Sequence, residues 1–206
     1  MQEELWPEWT SDPIEGISVQ QGRLHTDGQI ECDDWICTYT GGRVRPLDPD
    51  PETINIQDIA HALANVCRYT GHCKRFYSVA EHSVLCSRIA PPELKLAALL
   101  HDGAEAYLAD VARPVKQHSS FNFYREADKR LEGIILRKFC GMDNLPREVK
   151  EIDNRMLITE ALQLMGDVSD WNWPVPPYEG LHIDGWMPHV AKWEFMNQYR
   201  RLTEHA

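Results

Sequence analysis

Apolar residues recur along most of this chain at three- and four-residue spacing, the period of a helix with one buried face. Ile56, Ile59, Ala60, Leu63 and Ala64 make the first stripe, with Asn55 as N-cap and Asp58 in the first turn. A second stripe opens at Ser78, has Glu81 three residues on as in a capping box, and carries Val79, Leu85, Cys86 and Ile89. Pro91-Pro92 ends it and starts a third helix. That helix is apolar almost all round through Leu94, Leu96, Ala97, Ala98, Leu99 and Leu100, the mark of a buried element, and runs on through His101, Asp102 and Glu105. A fourth spans about Phe121 to Phe139, on Phe121, Tyr124, Leu131, Ile134, Ile135 and Phe139, and stops at Gly141. Asn144 and Pro146 start a fifth that reaches about Met165. Pro188 to about Leu202 closes the chain, with Val190, Trp193, Met196 and Tyr199 on its buried side.

Two stretches break this pattern. Residues 1–50 are punctuated as turns by Asp12-Pro13, Gly16, Gly22, Asp27-Gly28 and Gly41-Gly42, with Ile30 to Thr40 able to supply a short strand. The expectation is an all-α fold, residues 51–206, with an irregular or β-hairpin extension, residues 1–50, packed on it. Arg43 and Arg45 flank the flexible turn, where solvated loop arginines are commoner than phosphate ligands. The Trp- and Pro-rich segment 167–188 is long for a structureless loop. Trp171, Trp173 and Tyr178 within it are candidates to stack on a base, to cover an interface or to pack on the chain's own core.

Ionisable residues sit inside the apolar stripes. His82 has Val79, Leu85 and Cys86 as its helical neighbours, and His101-Asp102 with Glu105 extend an Ala/Leu helix. Asp153 lies between Val149, Met156 and Leu157 on one face of the fifth helix. A lone histidine on an apolar face is most often a core residue bonded to a carbonyl, and a lone aspartate is often a partner for a buried arginine. Two imidazoles with several acids in buried stripes are harder to explain as packing, because a buried carboxylate costs several kcal/mol unless compensated. The donor set suggests a divalent metal.

Composition narrows the function further. Lys and Arg number 21 against 32 Asp and Glu, a formal charge of −11, which argues against binding a nucleic-acid polymer. A small phosphorylated substrate remains open, since a pocket needs only two or three cations. No apolar run approaches a membrane span, and the Met-Gln-Glu-Glu start lacks a signal-peptide pattern, so a cytoplasmic location is expected. The 6 cysteines have no CxxC spacing and read as free thiols; Cys67, His72 and Cys73 lack the partners of a zinc site.

The run Tyr77-Ser-Val-Ala-Glu-His82, then Leu99-Leu-His-Asp102-Gly-Ala-Glu105-Ala-Tyr, then Asp110 and Pro114-Val-Lys116 resembles the HD-domain metal-dependent phosphohydrolases. It is most similar to the branch of 5′-deoxynucleotidases and phage-type dATP triphosphohydrolases, over roughly Ile54 to Leu164. The resemblance implies a helical bundle holding one ion (Mn, Co, Fe, Ni or Zn) through His82, His101, Asp102 and Asp153. It also implies that Glu105 handles the proton of the attacking water or leaving oxygen, and that Asp110 sits by the sugar or that water. Arg68 (with Arg75 as the other candidate) and Lys116 would lie by a phosphate. Gly103 departs from the Ala or Ser common after the His-Asp pair, which suggests a closer helix contact. The implied activity is hydrolysis of a phosphoester bond in a small nucleotide, most readily a deoxynucleotide mono- or triphosphate, by a homo-oligomer. A cyclic nucleotide or alarmone as substrate, or a sensing module that turns nothing over, are the alternatives.

Overall fold

Asn55 and Ser78 begin helices where the sequence places them: Asn55 accepts from the Gln57 N–H at 2.8 Å, and Ser78 Oγ accepts from the Glu81 N–H at 3.1 Å. These contacts come from a computed structural model that describes residues 34–204. The turns expected between Asp12 and Gly28, and residues 30–33 of the expected strand, lie outside the described residues.

The fold is all-α with a small hairpin before it. Strands β1 (Ile36–Cys37) and β2 (Arg43–Val44) pair antiparallel, Ile36 opposite Val44, around a turn in which Gly41 has φ +84°. The hairpin is tied to the first helix, α1 (Ile56–Asn65), by Asp58, whose carboxylate accepts from the Thr40 N–H at 2.8 Å and hydroxyl at 3.0 Å. Tyr39 stacks on His61, and Val44 is fully buried. Arg43 lies over the Trp35 ring and Arg45 pairs with Asp34, so both cations have protein partners.

The central element is α2 (Val79–Ile89), buried from Val79 through Ser87. It touches α1, α3 (Lys95–Leu100), α7 (Arg147–Leu164) and α8 (Pro188–Thr203). A helix buried on all sides has no polar face to spare, which is why His82 and Glu81 need partners inside the protein. Apolar residues pack on two sides of it. Ile59, Leu63, Val84, Leu99, Leu131, Ile135 and Phe195 form one cluster, and Tyr77, Leu85, Leu136, Val149, Met156, Leu164 and Ile183 the other. Full burial contributes about 1.5–3 kcal/mol for each large aliphatic side chain.

The third helix is shorter than its pattern predicts. It stops at Leu100, and His101 to Ala104 form a tight turn before α4 (Glu105–Leu108). Gly103 N–H bonds back to Leu100, Glu105 N–H to Asp102 and Tyr107 N–H to Ala104, each three residues back. Apolar periodicity carries no sign of this tightening, which brings residues three apart into line and sets Glu105 over Asp102. Gly103 fits a close approach there: a Cβ would meet the Leu100 carbonyl at 3.0 Å and Ile135 at 3.2 Å, where α6 (Asn122–Cys140) crosses. The short α5 (Arg113–Lys116) follows α4.

Two further expectations are corrected. Trp193 is 58% exposed, and the buried line of α8 is Ala191, Phe195 and Gln198, with Met196 and Tyr199 partly buried beside it. Three- and four-residue spacing fits both lines, and packing against α1 and α2 selects one. The capping box at Ser78 is only half made. Glu81 instead accepts the N–H groups of Asp184, Gly185 and Trp186 at 3.1, 2.9 and 2.6 Å. It thereby holds the end of the Trp/Pro-rich segment as a packed arm. Tyr178 N–H and Ile183 N–H bond α7 through Thr159 and Gln163, while Trp171 is exposed and rests against Trp173. Among the described residues no helix is long and apolar enough to cross a membrane.

Candidate metal centre

Two helices and the tight turn bring the buried polar residues together. His82 comes from α2, His101 and Asp102 from the turn after α3, and Asp153 from the second turn of α7. His82 Nε2 and His101 Nε2 are 3.2 Å apart. Asp102 Oδ2 is 3.4 Å from the first and 3.2 Å from the second. Asp153 Oδ1 is 3.3 and 3.9 Å from them. The other ring nitrogens turn away: His101 Nδ1 to the Ala98 carbonyl at 2.8 Å, His82 Nδ1 to Glu160 Oε1 at 2.5 Å. A carbonyl only accepts, so His101 carries its proton on Nδ1, and the Glu160 carboxylate assigns the same tautomer to His82. In the neutral rings both Nε2 lone pairs then face each other and the two carboxylate oxygens.

Lone pairs at these distances repel unless a positive charge lies among them. Burial works against charge on every member, yet the neighbours win. Burial and Arg68 disfavour the His82 imidazolium, but Cys86, Glu160 and Asp153 raise its pKa well above the usual range. His101 is raised likewise, burial being outweighed by Asp102 and Asp153. Burial would raise Asp102 and Asp153, but the two imidazoles draw both below the ordinary carboxylate range. The cluster is built to bind positive charge, as protons or as a cation.

His82, Cys86 and His101 form a buried group whose ligand atoms lie within 4.8 Å of one another, and which could hold a metal ion. The Cys86 sulfur is 3.7 Å from His82 Nε2 and 3.9 Å from Nδ1. Near-equal distances put the sulfur off the line of the Nε2 lone pair. Among the described residues Cys37, Cys67, Cys73, Cys86 and Cys140 are all free thiols.

Arg68 joins the same cluster. Its guanidinium lies 3.4 Å from Asp102 Oδ2 and 3.2 Å from Glu160 Oε2. Arg75 does not: it packs beside Gly185 and donates to the Ile183 carbonyl, holding the arm. The backbone after Arg68 is strained, for Tyr69 and Thr70 both have φ 54°, a region that bulky and β-branched side chains rarely enter. Strain of this kind is about 1–3 kcal/mol per residue and persists only where contacts enforce it. Here the Tyr69 hydroxyl is fixed by Glu160 at 2.8 Å and the Leu157 carbonyl at 3.2 Å.

A small cleft opens on this cluster, lined by His101, Asp102, Glu105, Lys116, Asp128, Glu132, Lys150 and Asp153. Glu105 is buried and its Oε2 has no hydrogen-bond partner. Burial, then Asp102 and Asp110, push its carboxyl well above the ordinary range. Lys116 enters the cleft paired with Asp128 at 2.8 Å. Asp110 is half-buried beside it, close enough to act on Glu105 and to feel Arg68. It follows Ala109, whose φ of 65° and ψ of 160° belong to a region populated almost only by glycine.

No family model matches the chain. It is 34% identical over 174 residues to the uncharacterized protein YfdR of Escherichia coli K12, an alignment covering 82% of this chain and 96% of that one. The chain belongs to the YfdR family. An uncharacterized protein of Rhodobacter capsulatus is 39% identical over 145 residues, 64% of this chain and 74% of its own length.

The eight site residues expected from the sequence thus fall in one region, six of them lining the cleft or meeting at its floor with Arg68, and Asp110 at its edge. Two members were missed. Glu160 is fully buried and accepts from four side chains, yet it lies only seven residues, two helical turns, after Asp153, with Met156 and Leu164 four residues to either side. The test that marked Asp153, an acid inside an apolar stripe, marks Glu160 equally. Lys150 lines the cleft three residues before Asp153, a spacing that puts both on one face.

Proposed function

We propose that this protein is a metal-dependent phosphohydrolase of the HD-domain kind, cleaving a phosphoester bond of a small nucleotide, most readily a deoxynucleotide. One observation carries the reading. Four lone-pair donors, His82 Nε2, His101 Nε2, Asp102 Oδ2 and Asp153 Oδ1, meet within 3.2–3.9 Å of His101 or His82 at the floor of a cleft. Above them the unpartnered Glu105 carboxyl lines the same cleft.

The donor set fits a divalent transition ion: two imidazoles and two carboxylates suit Mn, Co, Fe, Ni or Zn. His82, His101, Asp102 and Asp153 would hold it, with the Cys86 sulfur off the His82 Nε2 lone-pair line and outside the set. Bound there, such an ion supplies charge that polarises a phosphoryl group and acidifies water. The chain's own residues do the rest. Glu105, kept dry and beside Asp102, takes a proton from the attacking water or gives one to the leaving oxygen. Lys116, held by Asp128, presents an ammonium to the substrate's phosphate. Arg68 keeps its charge against Asp102, next to where a phosphate oxygen would seat. Asp110 at the edge suits the sugar. The first alternative to an enzyme, a sensing module, leaves Glu105 without a purpose, since a closed binding site gains nothing from an unsatisfied buried acid.

The test is phosphate or triphosphate release from a panel of deoxynucleotides and ribonucleotides with Mn²⁺ or Co²⁺. Glu105→Ala should lower hydrolysis about 10²–10⁴-fold while the ion stays bound. Asp153→Asn should lose the ion as well as turnover, read by metal content after dialysis. No hydrolysis of any nucleotide by the metal-loaded protein would sink the proposal.

A further inference from the structure

Glu160 touches no substrate and lies outside the ligand set, yet it is the most heavily bonded side chain near the site. Its Oε1 accepts from His82 Nδ1 at 2.5 Å and from the Tyr77 hydroxyl at 2.8 Å. Its Oε2 accepts from the Tyr69 hydroxyl at 2.8 Å and from Arg68 Nε at 3.2 Å. It is fully buried. Two of those donors matter for the site directly: His82 offers Nε2 to the cluster, and Arg68 reaches Asp102.

We propose that Glu160 is the positioning residue of this centre, setting the tautomer and ring angle of His82 and the reach of Arg68 through one carboxylate. This rests on the metal reading above and names how the site is held ready. The physical reasons are separate for the two oxygens. A carboxylate on Nδ1–H obliges the proton to stay there, leaves Nε2 as lone pair and makes the ring a better donor to a cation. The other oxygen fixes Arg68 at the start of the left-handed Tyr69-Thr70 turn. Tyr69 closes that turn onto the same oxygen, so Glu160, with the Leu157 carbonyl, holds the turn in its unfavourable backbone. Tyr77 supplies the last lone pair's partner and leaves the carboxylate a single rotamer. Ala98, which serves His101, is backbone and needs no such support.

The test uses the full chain and Co²⁺ or Mn²⁺ as the probe. Calorimetric titration of Glu160→Gln, which keeps shape but drops the charge, should show metal affinity about 10–100-fold weaker than wild type. The Co²⁺ absorption spectrum should shift, because one imidazole changes angle. Glu160→Asp, with its charge retained, should recover part of the affinity. In the unaltered protein, ¹⁵N-labelled histidine should report His82 protonated on Nδ1 with Co²⁺-free and Zn²⁺-loaded samples alike, a reading that does not depend on any variant folding. Wild-type affinity in Glu160→Gln with an unchanged spectrum, or a His82 ring protonated on Nε2 alone, overturns the assignment. Failure of the wild type to take up either ion would overturn the metal reading itself, which separates the two.

Discussion

Two buried glutamates both feel the charge of Arg68 and are kept in opposite states. At the floor of the site, Glu160 meets four donors; burial alone would raise its pKa, but Arg68, His82 and Tyr69 hold it at about 2. At the mouth, Glu105 meets none at Oε2; burial, Asp102 and Asp110 all push it up. Desolvation is common to both, so what differs is the partner set. An acid given a guanidinium and an imidazole becomes a fixed anion that orders its neighbours. An acid for which burial and neighbouring acids outweigh the cations, as at Glu105, is held neutral. That contrast is how one pocket comes to hold both a scaffold and a group suited to general acid or base work.

The largest test of the contrast is truncation at the floor against truncation at the mouth. Glu160→Ala should lose about 3–5 kcal/mol of stability, because it removes the nearer anion from the buried Arg68 guanidinium and leaves the Tyr77 hydroxyl and His82 Nδ1 without their acceptor. Glu105→Gln should leave stability level or improved in the metal-free protein while hydrolysis falls. Urea unfolding of both variants reads this directly, and equal losses would erase the distinction.

The pH dependence runs in opposite directions. Glu160 has its folded value, about 2, below its ordinary 4.5. Its contribution is therefore full above 4.5 and is lost as pH falls toward 2. Glu105 is raised above its ordinary 4.5, so its neutral form contributes fully below 4.5 and that contribution is lost as pH rises through the raised value. Metal-free Glu105→Gln should accordingly gain on wild type as pH climbs from 4.5, and a difference that stays flat across pH would contradict the assignment of a raised value.

The smallest expected effect lies at Ala109. Ala109→Gly should relieve its backbone strain and stabilise the protein by roughly 1 kcal/mol, read as a rise in Tm. It should also loosen Asp110 and so ease the repulsion felt by Glu105. Destabilisation by the glycine would mean that the strained conformation is better held than its torsions suggest.

Much of this site is legible because helical spacing decides which residues share a face. His82, Asp102, Glu105 and Asp153 are each visible as an acid or imidazole set into an apolar stripe, and the structure gathers all four. Glu160 was legible by the same test and passed over, because the sequence offers no way to see that a second acid two turns along α7 faces the same ring. Arg68 and Lys116 sit in single helical turns of 4 residues, too short for spacing to say which way a side chain points. Their placement depends on Glu160 and Asp128, residues 92 and 12 positions away in the chain. The face of α8 was misjudged at Trp193 because periodicity allows two adjacent stripes and only packing against α1 and α2 selects between them.

The sequence by itself determined the long helices, the caps at Asn55 and Ser78, the buried character of α3, and the small set of ionisable residues that had to find partners indoors. These follow from local rules: side-chain period, N-cap chemistry and the cost of an unpaired charge. The tertiary structure alone decided the tight turn that sets Glu105 over Asp102, the capture of the 184–186 backbone by Glu81, and the division of labour between Glu160 and Glu105. The last two depend on which distant groups arrive within about 3 Å, the range at which hydrogen bonds form and fade, and the turn lies where α6 crosses at Gly103. Spacing along a chain fixes a face; it does not fix what the face meets.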